Sequence, residues 1–194
     1  TEFSASAIAA EAYYGLGTVF QELEQFAEAA KVYEGFSQKF PKSDQINECR
    51  LRLGVVKLKL KLYPQAEQLF GQLTNLADFP FADYALLMHA EAKLQQNQLA
   101  DAAGLYESLP KRFEQSSYKS AALLAAGKAR YRDKQFSQAQ SDLTWAADAK
   151  SPESPEAAYW LARTLLRLKQ APAALARLDV AITASAQSEY LPHL

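Results

Sequence analysis

The sequence predicts an all-α fold, a right-handed superhelical solenoid of about five helical hairpins, and two periodicities carry that expectation. Gly17, Gly54 and Gly127 each lie in an Ala- and Leu-rich stretch of helical composition, and each is followed twelve residues later by Ala29, Ala66 or Ala139. A small residue at a fixed phase on two successive helices is what close helix packing requires. The same phase continues through Ala90 with Ala102 and Ala162 with Ala174, so the small positions recur at intervals of 37, 36, 37 and 35 residues. A period of that length points to a helical solenoid. The 194 residues are 49% hydrophobic, evenly spread, and no Pro/Gly/Ser linker divides them, which favours one continuous array over residues 1–194.

The copies are expected at 6–41, 43–78, 81–114, 116–150 and 151–186, with 187–194 beginning a further or capping helix. In the first, Tyr13, Leu16, Gly17 and Phe20 recur at helical spacing, as do Phe26, Ala29, Tyr33 and Phe36. The short polar stretch at residues 22–25 turns the chain back between them, and Pro41 closes the second helix, giving helices near 6–23 and 26–40. The second copy aligns Leu53 and Gly54 with Tyr63, Ala66, Phe70 and Leu73, for helices near 44–61 and 63–76. Between Leu51 and Leu62, apolar residues alternate with Lys and Arg as in a strand. Leu and Lys favour helix, however, and Gly54 keeps the repeat phase, so this segment is a middle helix packed on two sides.

The third copy, through Ala90, Leu99, Ala102, Tyr106 and Leu109, gives helices near 81–95 and 99–112, with Pro110 expected to kink or end the second. Ala126, Gly127, Phe136, Ala139 and Leu143 place the fourth pair near 117–133 and 136–148. Leu161, Ala162, Leu165, Ala174, Leu178 and Ala181 place the fifth near 154–168 and 172–184. Phe3/Ser6, Phe40/Ser43 and Phe113/Ser116 mark the junctions, each serine eleven residues ahead of a repeat glycine, and Ser151 takes that place in copy five. These serines are suited to cap the first helix of each pair. Residues 1–5 then resemble the tail of a preceding second helix. At the other end Leu175, Leu178 and Ile182 form an apolar edge, and Ser188 to Leu191 reads as a helix opening. Both ends are expected to pack on further repeats of the parent chain or on a neighbouring molecule.

Chemistry is sparse. A net charge of −1 gives no general attraction to phosphate, so nucleic acid is not an expected partner, and no apolar run is long enough for a membrane span. His89 and His193 lack Cys, His or carboxylate partners at ligand spacing, and His89 falls on an apolar helical phase as a core histidine. Gly15-Leu16-Gly17 lacks the third glycine of a phosphate loop and lies within a helix. Cys49 neighbours Arg50 and Arg52 but no base, which makes it a structural thiol. No Gly-x-Ser-x-Gly elbow occurs. A non-catalytic protein with no cofactor and no metal is the expectation.

Through Tyr13, Leu16, Gly17, Phe20, Ala29, Tyr33 and Pro41, the first copy resembles the tetratricopeptide repeat, and the likeness runs along the whole chain. It departs from the pattern at His89, where Leu is expected, and at Lys57, Lys93 and Arg130, which replace Phe20; there the aliphatic stems are expected to pack while the charges reach water. The Phe40-Pro41-Lys42-Ser43 junction and the long period are similar to modules of bacterial cell-envelope proteins of the Tol-Pal coordinator and outer-membrane assembly lipoprotein types. That resemblance implies a periplasmic or envelope location, a cytoplasmic one being the alternative. The tetratricopeptide resemblance implies a groove lined by the first helices, at Tyr14, Leu51, Leu87, Leu124 and Tyr159, then Thr18, Val55, Glu91, Lys128 and Arg163, then Gln21, Leu58, Leu94, Tyr131 and Leu166, flanked by Arg52, Lys59, Arg132, Trp160 and Arg167. Such a surface suits a peptide or protein segment with apolar anchors and acidic residues. The family's two-carboxylate clamp needs asparagine, and none stands at these positions. The competing reading is a structural or self-association segment without a groove ligand.

Overall fold

The computed structural model describes residues 2–76 and 78–186, with side chains described for 7–76 and 78–183. Ten helices and no strand occur among the described residues. They are α1 (Glu2–Glu22), α2 (Phe26–Lys39), α3 (Ile46–Lys59), α4 (Tyr63–Leu73), α5 (Ala82–Gln95), α6 (Leu99–Arg112), α7 (Lys119–Arg132), α8 (Phe136–Asp148), α9 (Ser154–Arg167) and α10 (Ala171–Ala186). Ten is the number that five hairpins require. The chain divides into two units, Thr1–Gln96 with α1 to α5 and Asn97–Leu194 with α6 to α10. In each unit, helices adjacent in sequence pack on one another.

The phased small residues are the crossing points. In the first unit Ala29, Ala66 and Ala90 are fully buried, and in the second Ala102 and Ala139 are too. A Cβ on Gly17 would stand 2.5 Å from the Tyr33 ring, on Gly54 2.6 Å from the Phe70 ring, and on Gly127 2.4 Å from Leu143. Glycine there admits the large residue of the partner helix, and that residue fills the core. Tyr33, Phe36, Cys49 and Val56 make one core of the first unit; Leu51, Phe70, Leu73 and Ala85 make a second. Leu143, Ala146, Leu161 and Leu165 centre that of the second unit. The segment from Leu51 to Lys59 is helical, which settles the alternation in favour of helix.

Turns between paired helices share one backbone device. Glu24, Lys61, Asn97, Lys134 and Lys169 all have positive φ, from 57° to 63°, and each follows its repeat's small residue by seven positions. In the turn at Lys61, Leu62 N–H donates to Lys57 O at 2.9 Å. Gln135 does the same to Arg130 O at 2.9 Å, and Gln170 to Leu165 O at 2.9 Å. This six-to-one closure satisfies a carbonyl that the helix leaves open and reverses the chain within three residues.

Four local expectations are corrected. α1 runs unbroken from Glu2, so residues 2–5 belong to it and no junction falls at Ser6; the Ala-rich run favours helix, and no proline follows Phe3 as Pro41 follows Phe40. The side chains of Phe3 and Ser6 lie outside the described residues, as do residues 187–194 with Ser188 to Leu191 and His193. Of the two effects expected of Pro110, the ending is excluded, because α6 continues to Arg112. The serines do not cap: Ser43 Oγ accepts from Gln45 N at 3.2 Å and Ser116 Oγ from Tyr118 N at 3.1 Å, closing the turn that precedes each helix. Ser151 instead donates its own backbone N–H to Ser154 Oγ at 3.0 Å.

The fourth correction concerns the cations at the Phe20 position, which pair instead of reaching water. Lys57 Nζ on α3 meets Glu34 Oε1 of α2 at 2.6 Å, and Lys93 on α5 meets Glu67 of α4 at 2.9 Å. Arg130 on α7 pairs with Glu107 of α6 and, at 2.7 Å, with Asp142 of α8. The side chains of Lys57, Lys93 and Arg130 are only 11%, 19% and 14% exposed. Charges this far from water need a partner, and the preceding helix supplies one, five residues after the small residue at Glu34 and Glu107 and one residue after it at Glu67.

Candidate functional site

In the second unit, α7 and α9 bring together most of the sequence-predicted groove residues there. Helical spacing sets Lys128 and Tyr131 one turn apart on α7, and Glu156, Tyr159, Trp160, Arg163 and Arg167 along α9. The Arg163 guanidinium lies over three rings, 4.6 Å from the centre of Trp160, 5.2 Å from Tyr131 and 5.6 Å from Tyr159. Tyr131 packs edge-on against Trp160 at 5.4 Å, with Phe136 behind it at 5.5 Å. Arg167 Nε donates to Tyr131 Oη at 3.2 Å, and this bond holds the Tyr131 phenol below its ordinary pKa. Lys128 is engaged by Glu156 at 2.7 Å, which also accepts from Trp160 Nε1 at 3.2 Å.

Among the described residues Arg163, Arg167 and the exposed Arg132 have no carboxylate partner. Tyr159 is 47% exposed beside them. The aromatic faces fix the position of Arg163 without neutralising its charge. A held but uncompensated guanidinium next to an exposed ring can pair with an acidic group that has an apolar neighbour. Leu124 does not contribute, because it is 6% exposed and belongs to the core.

The first unit is closed by comparison. Tyr14 donates to Glu48, and Arg52 Nε donates to the Tyr14 hydroxyl, while Arg52 Nη2 reaches Glu48 Oε1 at 3.5 Å. Burial, reinforced by Glu48, pushes the Tyr14 phenol up to about 12. The triad satisfies itself. Leu51 is buried at 6% exposure in the second core of that unit, and Leu58 packs against the same core. Leu87, Glu91 and Leu94 on α5 are half-buried, and Glu91 accepts from Gln95 Nε2 at 2.6 Å.

Neither Cys49 nor His89 forms a reactive centre. Burial pushes the Cys49 thiol up to about 12, outweighing Arg50 and Arg52, and its Sγ faces Tyr33 O at 3.6 Å. Burial lowers the His89 pKa, leaving a neutral ring whose buried Nδ1 has no hydrogen-bond partner and whose Cε1 packs towards Gly71. Among the described residues no group of His, Cys, Asp and Glu is arranged to hold a metal ion, and no helix is long and apolar enough to cross a membrane. Glu156 is the site residue absent from the groove predicted by sequence, and its i, i+4 spacing to Trp160, with Lys128 one repeat earlier, is the signal that marks it.

Tetratricopeptide-repeat profiles match residues 124–189 in one version and residues 11–43 and 84–116 in another. The chain belongs to the tetratricopeptide-repeat family. No curated protein matches the sequence significantly. Among solved structures, this repeat protein is similar to MamA of Desulfovibrio magneticus RS-1, at 17% identity and a TM-score of 0.75, over 93% of this chain and 97% of that one. The putative kinesin light chain repeats of Podosopora anserina match at 15% identity and 0.73, over 95% and 98%. YrrB, described as a tetratricopeptide-repeat protein with an unusual peptide-binding site, matches at 15% and 0.68, over 91% and 86%. At these identities the likeness is one of fold.

Proposed function

We propose that the chain is a non-catalytic protein-interaction scaffold, and that the α7–α9 surface receives an extended or helical segment carrying acidic residues and apolar anchors. The uncompensated Arg163, held over Trp160, Tyr131 and Tyr159, carries the proposal. An incoming carboxylate pairs with Arg163 and Arg167, while an apolar side chain packs on Tyr159. The peptide-binding site of YrrB supports the class of ligand. A bacterial cell-envelope setting belongs to the same reading, motivated by the Phe40-Pro41-Lys42-Ser43 junction. The alternative, a self-associating or structural segment, is favoured by the exposed apolar residues of α1 and α10 and is decided by solution mass over a range of concentrations.

The test is binding of a panel of fluorescent peptides, acidic-aromatic against basic-aromatic, to wild type and to an Arg163→Glu/Arg167→Glu variant. Wild type is expected to prefer the acidic set, and the variant to lose about tenfold or more in affinity, since reversing two contacting charges removes attraction and adds repulsion. The advantage shrinks as salt rises. Equal affinity of the two proteins for every peptide overturns the assignment.

A further inference from the structure

Two of the ion pairs share a phase that bears on the last helix. Where α3 follows α2, Lys57 meets Glu34; where α7 follows α6, Arg130 meets Glu107. Glu34 stands five residues after Ala29, and Glu107 five after Ala102; Asp179 stands five after Ala174 on α10. α10 therefore repeats the carboxylate that α2 and α6 offer to the next helix, but among the described residues no helix follows it. On the same stripe as Asp179, one turn to either side, lie Leu175 and Ile182, 63% and 59% exposed. At the Leu175 position α2 and α6 carry Ala30 and Ala103, which are 5% and 1% exposed. Glu67 and Gln140 hold that position in the other copies, so it admits a long side chain.

A second copy of this chain is a poor complement. α1 does leave open the face that later first helices bury: Val19 is 51% exposed, whereas Val56 and Ala129 at the same phase are 0% and 1% exposed. α1 carries no Lys or Arg, however, and has Phe20 where the pairing cation stands in α3, α5 and α7. Stacked head to tail, it leaves Asp179 against apolar surface without a partner, which is unfavourable.

We propose that the open face of α10 is a docking surface for a basic amphipathic helix with Lys or Arg three residues after a Gly or Ala. The cation pairs with Asp179 while the helix's apolar stripe covers Leu175 and Ile182. The proposal is independent of the α7–α9 ligand surface.

The intact chain supplies the test. A fluorescein-labelled peptide of residues 116–135, which carries Arg130 three residues after Gly127, is titrated with wild type, Asp179→Lys and Leu175→Glu, the fold of each confirmed by circular dichroism. Both variants are expected to bind more weakly by about threefold or more. A peptide with Arg130→Glu is expected to bind wild type weakly and to regain affinity on Asp179→Lys. Arg163→Glu leaves this binding unchanged, which separates the surface from the α7–α9 cluster. Absence of peptide binding, or binding indifferent to Asp179, overturns the proposal. So does a concentration-dependent mass of the chain that Val19→Glu and Leu175→Glu abolish alike, which assigns the face to a second copy.

Discussion

Asp142 shows two opposing physical effects at a single carboxylate. It is 5% exposed on α8, and burial raises its pKa from 3.8 to about 6 against the pull of Arg130 at 2.7 Å. Because the folded protein holds this proton more tightly than the unfolded chain does, Asp142 favours folding most in acid, and that contribution falls as pH rises from about 4 to about 6. Glu107 has the opposite sign. Lys111 and then Arg130 hold its carboxyl below 4.5, so its contribution is present at neutral pH and is lost only as pH falls below about 4.5. Asn imitates the protonated form of Asp142. Asp142→Asn is therefore expected to gain stability relative to wild type as pH rises from 4 to 6, with Glu107 still pairing Arg130 in both proteins. Urea midpoints at pH 4, 5, 6 and 7 read this directly, and a difference that does not change with pH refutes the account.

At the scale of the element, the turn between paired helices carries strain that the sequence hides. Each left-handed non-glycine residue costs about 1–2 kcal/mol, and the turns use Glu24, Lys61, Lys134 and Lys169. Lys134 is exposed. Lys134→Gly removes the steric cost but gives back about 0.5–1 kcal/mol in unfolded-chain entropy, so a net gain of about 0.5–1 kcal/mol is expected, seen as a higher urea midpoint with an unchanged slope. A lower midpoint means that the turn does not need the left-handed conformation. The helices themselves were legible, because a small residue at a crossing point is a strict packing requirement and its phase fixes both partners. The turns were not, since no glycine advertises them. The serine caps were misread because the turn before each helix places Ser43 and Ser116 outside the cap position. In the candidate site, Tyr131, Arg163 and Arg167 were legible from helical phase and residue type. Leu51 and Leu124 were misplaced because a first helix packed on two sides buries more than one row of side chains. The pairing of Lys57, Lys93 and Arg130 depends on carboxylates more than twenty residues earlier, a relation that local pattern does not display.

At the scale of the whole molecule, stability in an array of this kind is a sum of repeat and nearest-neighbour terms, so damage is expected to stay close to its source. Ala66 is the sharpest place to ask. It is fully buried at a crossing point, and Leu at this position inserts three carbons into a core already filled by Phe70 and Leu73. The expected cost is about 1–3 kcal/mol, borne first by α3 and α4 and then by α5, which packs on α4. α8 and α9 lie in the other unit and share none of these contacts. Hydrogen exchange measured helix by helix separates the possibilities, because local openings report local free energies up to the global value. In Ala66→Leu, amides of α3, α4 and α5 are expected to exchange about 5- to 140-fold faster, the equivalent of that cost, while those of α8 and α9 keep their wild-type rates. Uniform acceleration across all ten helices makes the chain one cooperative block and removes the nearest-neighbour account. Unchanged rates in α3 and α4 place Ala66 away from a crossing, and with it the phase on which the repeat assignment stands.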